Sequence, residues 1–434
     1  MTKPAESFAP QDGEIYVAAA QLRPGVYVRL PVPWMEHPFL FNSFLIADED
    51  QVRELAALNL PHLLCDVTRC KVPPLPKTQT PAQPVATNAA EKARLAALAA
   101  KHMAEKRERT RVMSELRGRL DKAQKHYGSA AKTVGGALKS FDLDPKESVR
   151  QVTKVSADST AALLEDPDSA LVLIAEKARD DGSAAHSLSV MTLTLLLGKQ
   201  ARLPDGALCA LGIGALLHDI GKETIKSSIL RNSERNKHEE AVYQTHCRLG
   251  YESALRAGTL APPILDAILH HHERFDGDGF PDCMMGAETP LAARVVAIAN
   301  RFDNLANPMD YRRALSPSEA LSRMWTKEQK AFDTVLLQLF IRAMGVYPPG
   351  SIVQLNDGRV GAVVASAPTG SPLSPQVMIY APEMPRQQAI IIDLTAEPSV
   401  KIEKSLRLQD RSNDELDYLL PRRKLNWFHM EGGQ

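Results

Sequence analysis

Seven of the chain's 12 histidines fall between residues 186 and 272, several of them closing apolar stretches with helical spacing. This concentration constrains the fold more than any other feature. Helices that draw imidazoles toward a core must give them partners, because a buried polar ring without one is costly. In HSLSVMTLTLLL, His186 shares a stripe with Val190, Leu193 and Leu197. In PPILDAILHHHE, two prolines suit a helix start, and Ile264, Ala267, Ile268 and His271 follow at i, i+3, i+4 and i+7. ALLHDIGK sets His218 beside Asp219. Together they offer one neutral nitrogen and a carboxylate with two oxygens, able to bridge two cations. His186, His246, His271 and His272 can add nitrogens from three other helices. Taken singly, each is a hydrogen-bonded core or surface histidine. As a set they suit first-row transition metals better than Ca²⁺ or Mg²⁺. Two cations roughly 3.5–4 Å apart can clamp both oxygens of a phosphoester displacement. Lys222, one turn beyond His218, is placed to neutralise a phosphate oxygen.

The flanking sequence divides into shorter units. With 434 residues, 44% hydrophobic and 24% charged, the chain has room for two or three domains. Residues 15–70 read as a small N-terminal α/β domain: short strands around a Pro-Gly turn, a helix in DEDQVRELAALNL and a closing strand in LLCDV. Residues 71–88 are a Pro-rich linker. Residues 89–142 form a charged helical connector, whose 89–127 stretch is dominated by Ala, Leu, Lys, Glu and Arg and has no Pro. It has no sustained heptad, so a homodimerising coil and a solvated spacer are equal readings. Residues 143–345 are helical by pattern, including PLAARVVAIANRFDNLA at 290–306. In 346–434, SIVQLND, RVGAVVAS, QVMIYA and AIIIDL are short strands of a C-terminal β appendage. The fold class expected is mainly α.

A formal net charge of +0 gives no field toward nucleic acid or an anionic membrane, and neither is expected as a partner. The longest apolar runs, such as ALCALGIGALL, are too short to span a bilayer. The N-terminal residues lack the order of a secretory signal. Five cysteines without a CxxC pair suit reduced thiols, so a cytoplasmic location is expected.

HSLSV (186–190), GALLHDIGK (214–222), THCRLG (245–250), HHERFDGDGFP (271–281) and YRRALSPSEAL (311–321), in that order, resemble the HD-GYP family of HD metal-dependent phosphohydrolases. The resemblance covers roughly 155–345 and implies a helical HD-type domain. It implies hydrolysis of the bacterial second messenger cyclic di-GMP to linear pGpG or GMP, at a di- or trinuclear iron or manganese centre. VYVRLPVPWMEHPFLFNSFLI and YPPGSIVQL resemble the N-terminal domain and the tail that accompany such domains. Carried over, the resemblance puts His186, His218 and Asp219 on one metal, with Asp219 bridging to a second held by His246, His271 and His272. Lys222 would contact the substrate phosphate. Gly279, Phe280 and Pro281 stand where the family has Gly-Tyr-Pro, beside the substrate and facing signalling partners such as a diguanylate cyclase. Glu273 and Asp276 belong to the same motif, with loop capping at least as good a reading as a catalytic role.

Four departures separate the chain from the family. Asn300 stands at the position of the last metal-ligating Asp, which weakens the first metal site; Asp303, at i+3, either substitutes or keeps a structural job. Met309 replaces a phosphate-binding Arg, while Arg312 is retained as a substrate-binding residue. Phe280 keeps a stacking face without the phenol. Gly182 takes the place of a Glu that trinuclear members carry, so two metals are expected. Cys247 reads as packing rather than ligation. The leading expectation is a metal-dependent cyclic di-GMP phosphodiesterase. The second is a module that binds cyclic di-GMP or a protein partner without cutting, and the third acts on another nucleotide.

Overall fold

The structure, a computed structural model, describes residues 10 and 13–420, except 34–35, 40–41, 77–88, 176–181, 368–369, 383, 385 and 387–388. Most of the expected Pro-rich linker and the C-terminal tail therefore lie outside the described residues. The chain divides into two units, one of residues up to Glu115 with 381–389, the other of Leu116–Tyr380 with 390 onward.

The first unit is built on a four-stranded antiparallel sheet of β1 (Glu14–Val17), β2 (Tyr27–Arg29), β3 (Ser43–Leu45) and β4 (Leu63–Asp66), in the order β1-β4-β2-β3. Helix α1 (Glu49–Ala57) starts where Asp48 accepts from the Gln51 amide, a cap worth about 1 kcal/mol. Val17, Val28, Leu30, Ile46, Leu55 and Leu63 form its core. Helix α2 (Ala89–Ser140) begins in this unit.

Lys106 on α2 is fully buried here, and its ammonium donates to the His37 carbonyl at 2.8 Å. Burial, helped by Arg109, pulls this lysine down to about 7. Between there and the ordinary lysine pKa of about 10.4, the unfolded chain carries a proton that the folded chain releases. Stability of this unit therefore rises with pH across that window and is lowest below it. Urea midpoints near pH 6 and near pH 9 should draw together in Lys106→Met, with the larger gain at the lower pH.

α2 runs past residue 127 through Gly128, Gly135 and Gly136. Burial of Ala130, Val134, Ala137 and Leu138 in the second unit's core overrides a glycine penalty of about 1 kcal/mol each. The second unit continues with α3 (Pro145–Glu165), α4 (Pro167–Ala175), α5 (Gly182–Gln200), α6 (Asp205–Leu217), α7 (Ser227–Arg231), α8 (Lys237–Gln244), α9 (His246–Ala257), α10 (Pro262–His270), α11 (Leu291–Ala306), α12 (Pro317–Thr326) and α13 (Thr334–Met344). α5 and α6 are apolar on nearly every side and pack on each other, with α10 and α11 against them. Their C-terminal and N-terminal ends carry the histidines.

A five-stranded antiparallel sheet follows: β5 (Ile352–Leu355), β6 (Val360–Ala365), β7 (Gln376–Ile379), β8 (Ile391–Asp393) and β9 (Ile402–Leu406), in the order β8-β7-β6-β5-β9. β9 and the short helix α14 (Asn413–Leu419) were not anticipated: β9 reads IEKSL, too polar for its pattern to announce a strand, and takes its place by pairing with β5. The fold is mainly α, with a small sheet toward each end of the sequence, as expected. No described helix is long and apolar enough to cross a membrane.

Candidate metal centre

His186 lies in the second turn of α5, His218 ends α6, His246 opens α9, and His271 ends α10 with His272 beside it. Asp219 stands between α6 and the short turn Ile220–Thr224, at φ −100° and ψ 10°, the sparsely populated bridge region. Gly221 lets that turn lie on the start of α9. A Cβ there would meet the His246 carbonyl oxygen at 2.0 Å and the Gly250 amide nitrogen at 2.6 Å. This contact sets the distance between Asp219 and His246.

Each oxygen of Asp219 faces its own pair of imidazoles. Oδ2 is 3.3 Å from His218 Nε2 and 3.6 Å from His186 Nε2. Oδ1 is 3.5 Å from both His246 Nε2 and His271 Nε2. His186, His218 and Asp219 have ligand atoms all within 4.8 Å of one another, as do Asp219, His246, His271 and His272.

The opposite edge of each ring is tied down. His186 Nδ1 donates to Asp303 Oδ2 at 2.7 Å, His218 to the Ala215 carbonyl at 2.8 Å, His246 to Tyr243 at 2.6 Å and His271 to Ile268 at 2.9 Å. These bonds fix the tautomer that leaves Nε2 without a proton, the arrangement a metal-binding histidine needs. Burial lowers His246 to about 3 and His271 to about 4, and also lowers His186 and His272, so these rings are neutral at pH 7. Burial would raise the Asp219 carboxyl, but His218 and Lys222 outweigh it and hold it well below the usual range.

His218 Nε2, Asp219 Oδ1 and His272 Nε2 are buried without a hydrogen-bond partner. Unmet buried polar atoms cost about 1–3 kcal/mol each, and divalent cations, one in each ligand group, are the groups that would satisfy them. The donor set therefore fits a divalent metal.

The remaining expected residues divide. Lys222 Nζ lies 2.6 Å from Asp219 Oδ2, so its ammonium reaches the cluster itself. Phe280 stacks on His272, with centroids 4.6 Å apart and planes at 18°. Asn300 is buried on α11, but its amide oxygen accepts from Asn304 Nδ2 at 2.7 Å. Asp303 orients His186 and so keeps a structural job. Arg312 is exposed on the turn Tyr311–Arg313, where it donates to Asp310. Glu273 is buried and accepts from the Asp282 and Met284 amides, and Asp276 pairs with Arg274. Both therefore serve the loop. Burial raises the Cys247 thiol, which keeps it protonated as a packing residue.

Residues 163–336 match the HD domain family. Residues 14–152, ahead of that segment, match a domain of unknown function (DUF3391). Three curated relatives are named as cyclic di-GMP phosphodiesterases. PA4108 of Pseudomonas aeruginosa is 32% identical over 224 residues, 51% of this chain and 53% of the relative. The response regulator RpfG of Xanthomonas campestris is 32% identical over 167 residues, 38% of this chain and 44% of the relative. PdeB of Borreliella burgdorferi is 26% identical over 180 residues, 41% of this chain and 47% of the relative. The chain spans about half the length of these relatives. Within the matched segment, the sequence analysis did not single out Tyr243 and Arg235, which stand beside the cluster. Tyr243 sits three residues before His246, one helical turn away, and that spacing was the available signal.

Proposed function

We propose that the chain is a metal-dependent phosphodiesterase that hydrolyses cyclic di-GMP to pGpG or GMP. The observation that carries this reading is the two-sided carboxylate: each oxygen of Asp219 looks at a separate pair of unprotonated Nε2 atoms. The activity named for the three relatives supports the choice of substrate.

His186, His218 and Asp219 would hold one ion, and Asp219, His246, His271 and His272 the other. Iron or manganese suits this mixture of imidazole and carboxylate. When bound, such ions supply Lewis acidity and an activated water. The chain's own side chains do the rest. Lys222 sets an ammonium against the cluster, where a non-bridging phosphate oxygen would accept from it. Phe280 covers His272 and excludes water from that face. Arg312, exposed and paired with Asp310, would meet the substrate. The loop Gly279-Phe280-Pro281 also offers a surface to signalling partners, and the chain acts in the cytoplasm with its substrate. Anaerobically purified protein reconstituted with Fe²⁺ or Mn²⁺ should release pGpG or GMP. Absence of turnover with both metals would count decisively against the reading.

A second reading, binding of cyclic di-GMP without hydrolysis, is favoured by one observation: the Asn300 oxygen, uncharged, is already engaged by Asn304. Asn300→Asp adds a full charge to the first ion's surroundings and should tighten that ion about tenfold or more. Titration against a chromophoric chelator measures this. A modest change in turnover fits the enzyme reading, and turnover appearing only in the variant selects the second.

A further inference from the structure

Beside the cluster, outside the ligand set, two cations share one aromatic ring. Tyr243 lies with its ring centroid 4.9 Å from that of His246 and 6.2 Å from that of His272. Lys222 Nζ is 5.3 Å from the Tyr243 centroid, and the Arg235 guanidinium carbon is 4.0 Å from it. Like charges so near one another repel. The ring's π face offsets part of that cost, and Asp219 offsets the Lys222 charge at 2.6 Å.

Arg235 is held in place but incompletely bonded. Its Nε donates to Glu240 Oε2 at 2.8 Å and its Nη1 to the Asn232 carbonyl at 3.0 Å. Nη2 has no hydrogen bond among the described residues, and the side chain is 21% exposed. The loop carrying it is itself fixed. Asn236 caps α8, accepting from the His238 and Glu239 amides. Asn232 Nδ2 donates to Glu239 at 3.0 Å. Glu234 pairs with Arg313, next to Arg312, at 3.6 Å. A guanidinium anchored on two nitrogens, stacked on a ring and free on a third is prepared for an anion.

We propose that Arg235, positioned by Tyr243, binds the second phosphodiester of a cyclic dinucleotide, the one that is not being cleaved. This rests on the proposed function. A cyclic dinucleotide carries two phosphodiester anions in one ring. Lys222 and the centre answer one of them. The other loses hydration on entering the cleft and needs a cation of its own. Tyr243 is a positioning residue: it touches neither phosphate and acts through the two cations on its ring.

The experiment compares manganese-loaded full-length protein with Arg235→Gln, Arg235→Lys, Tyr243→Phe and Tyr243→Leu. It measures the Kd for cyclic di-GMP, the KM for bis(4-nitrophenyl) phosphate, which has one phosphodiester, and metal content as the check on folding. Arg235→Gln should weaken cyclic di-GMP binding about 10- to 100-fold, with a loss on the single phosphodiester at least about tenfold smaller. Arg235→Lys recovers part of the loss. Tyr243→Phe keeps the ring and stays close to wild type, whereas Tyr243→Leu follows Arg235→Gln. A Kd in Arg235→Gln within about twofold of wild type, or equal losses on both ligands, overturns the assignment and leaves the function standing. Wild-type protein that neither binds nor cleaves cyclic di-GMP overturns both.

Discussion

Asp219→Ala should strip divalent metal from both halves of the centre and lower phosphodiester hydrolysis by about 10³-fold or more. Asp219 is the one carboxylate in both ligand groups, and each of its oxygens serves one of them. Its removal leaves two sets of neutral imidazoles with no charge between them to hold a dication. It also leaves Lys222 without its counter-ion, which costs up to about 3 kcal/mol of stability. Asp219→Asn separates the two effects, since it keeps the volume and one oxygen while removing the charge. Metal content by elemental analysis, read beside thermal unfolding, checks both variants. Retention of wild-type metal in folded Asp219→Asn would refute the bridging role.

The second large effect is steric. Gly221→Ala places a methyl 2.0 Å from the His246 carbonyl oxygen, 2.6 Å from the Gly250 amide nitrogen and 2.9 Å from the His246 carbonyl carbon. All three are backbone atoms, so no side chain can rotate to make room. The start of α9 must move, at a cost of about 3 kcal/mol or more. For a unit of this size that corresponds to a fall in Tm of roughly 5 °C. Moving α9 also carries His246 away from Asp219 Oδ1, so metal in the second half should weaken together with stability. Calorimetry and chelator titration on the same variant test this. Unchanged Tm and metal affinity would mean that the turn and the helix are less closely fitted than the distances state.

Much of this centre was legible in the sequence because its parts lie in order on apolar stripes. His186 follows a helical period, His271 ends one, and Asp219 is adjacent to His218, so direction and proximity were both readable. The first ligand-group members needed no tertiary knowledge beyond helices converging at their ends. Three features were not legible, each for a physical reason. The roles of Asn300 and Asp303 depend on which side chain reaches which neighbour: Asn304 takes the amide, and His186 takes the carboxylate. The need for Gly221 arises from a backbone contact with a segment 25 residues later in the chain. Tyr243 lies one turn from His246, which spacing shows, but its contacts with Lys222 and Arg235 are tertiary distances that spacing does not give. In the fold, β9 was missed because its pairing with β5, rather than its own composition, makes it a strand. α2 continues through the glycines at its end because the core they border outweighs their cost.

The central claim is that Asp219 bridges two ions between separate pairs of imidazoles. Anomalous scattering from crystals grown anaerobically with Mn²⁺ tests it most directly. The account predicts two peaks flanking the Asp219 carboxylate, one beside His186 and His218 and the other beside His246, His271 and His272. No peak at Asp219 in manganese-replete crystals, or manganese bound only at some other set of residues, would contradict it.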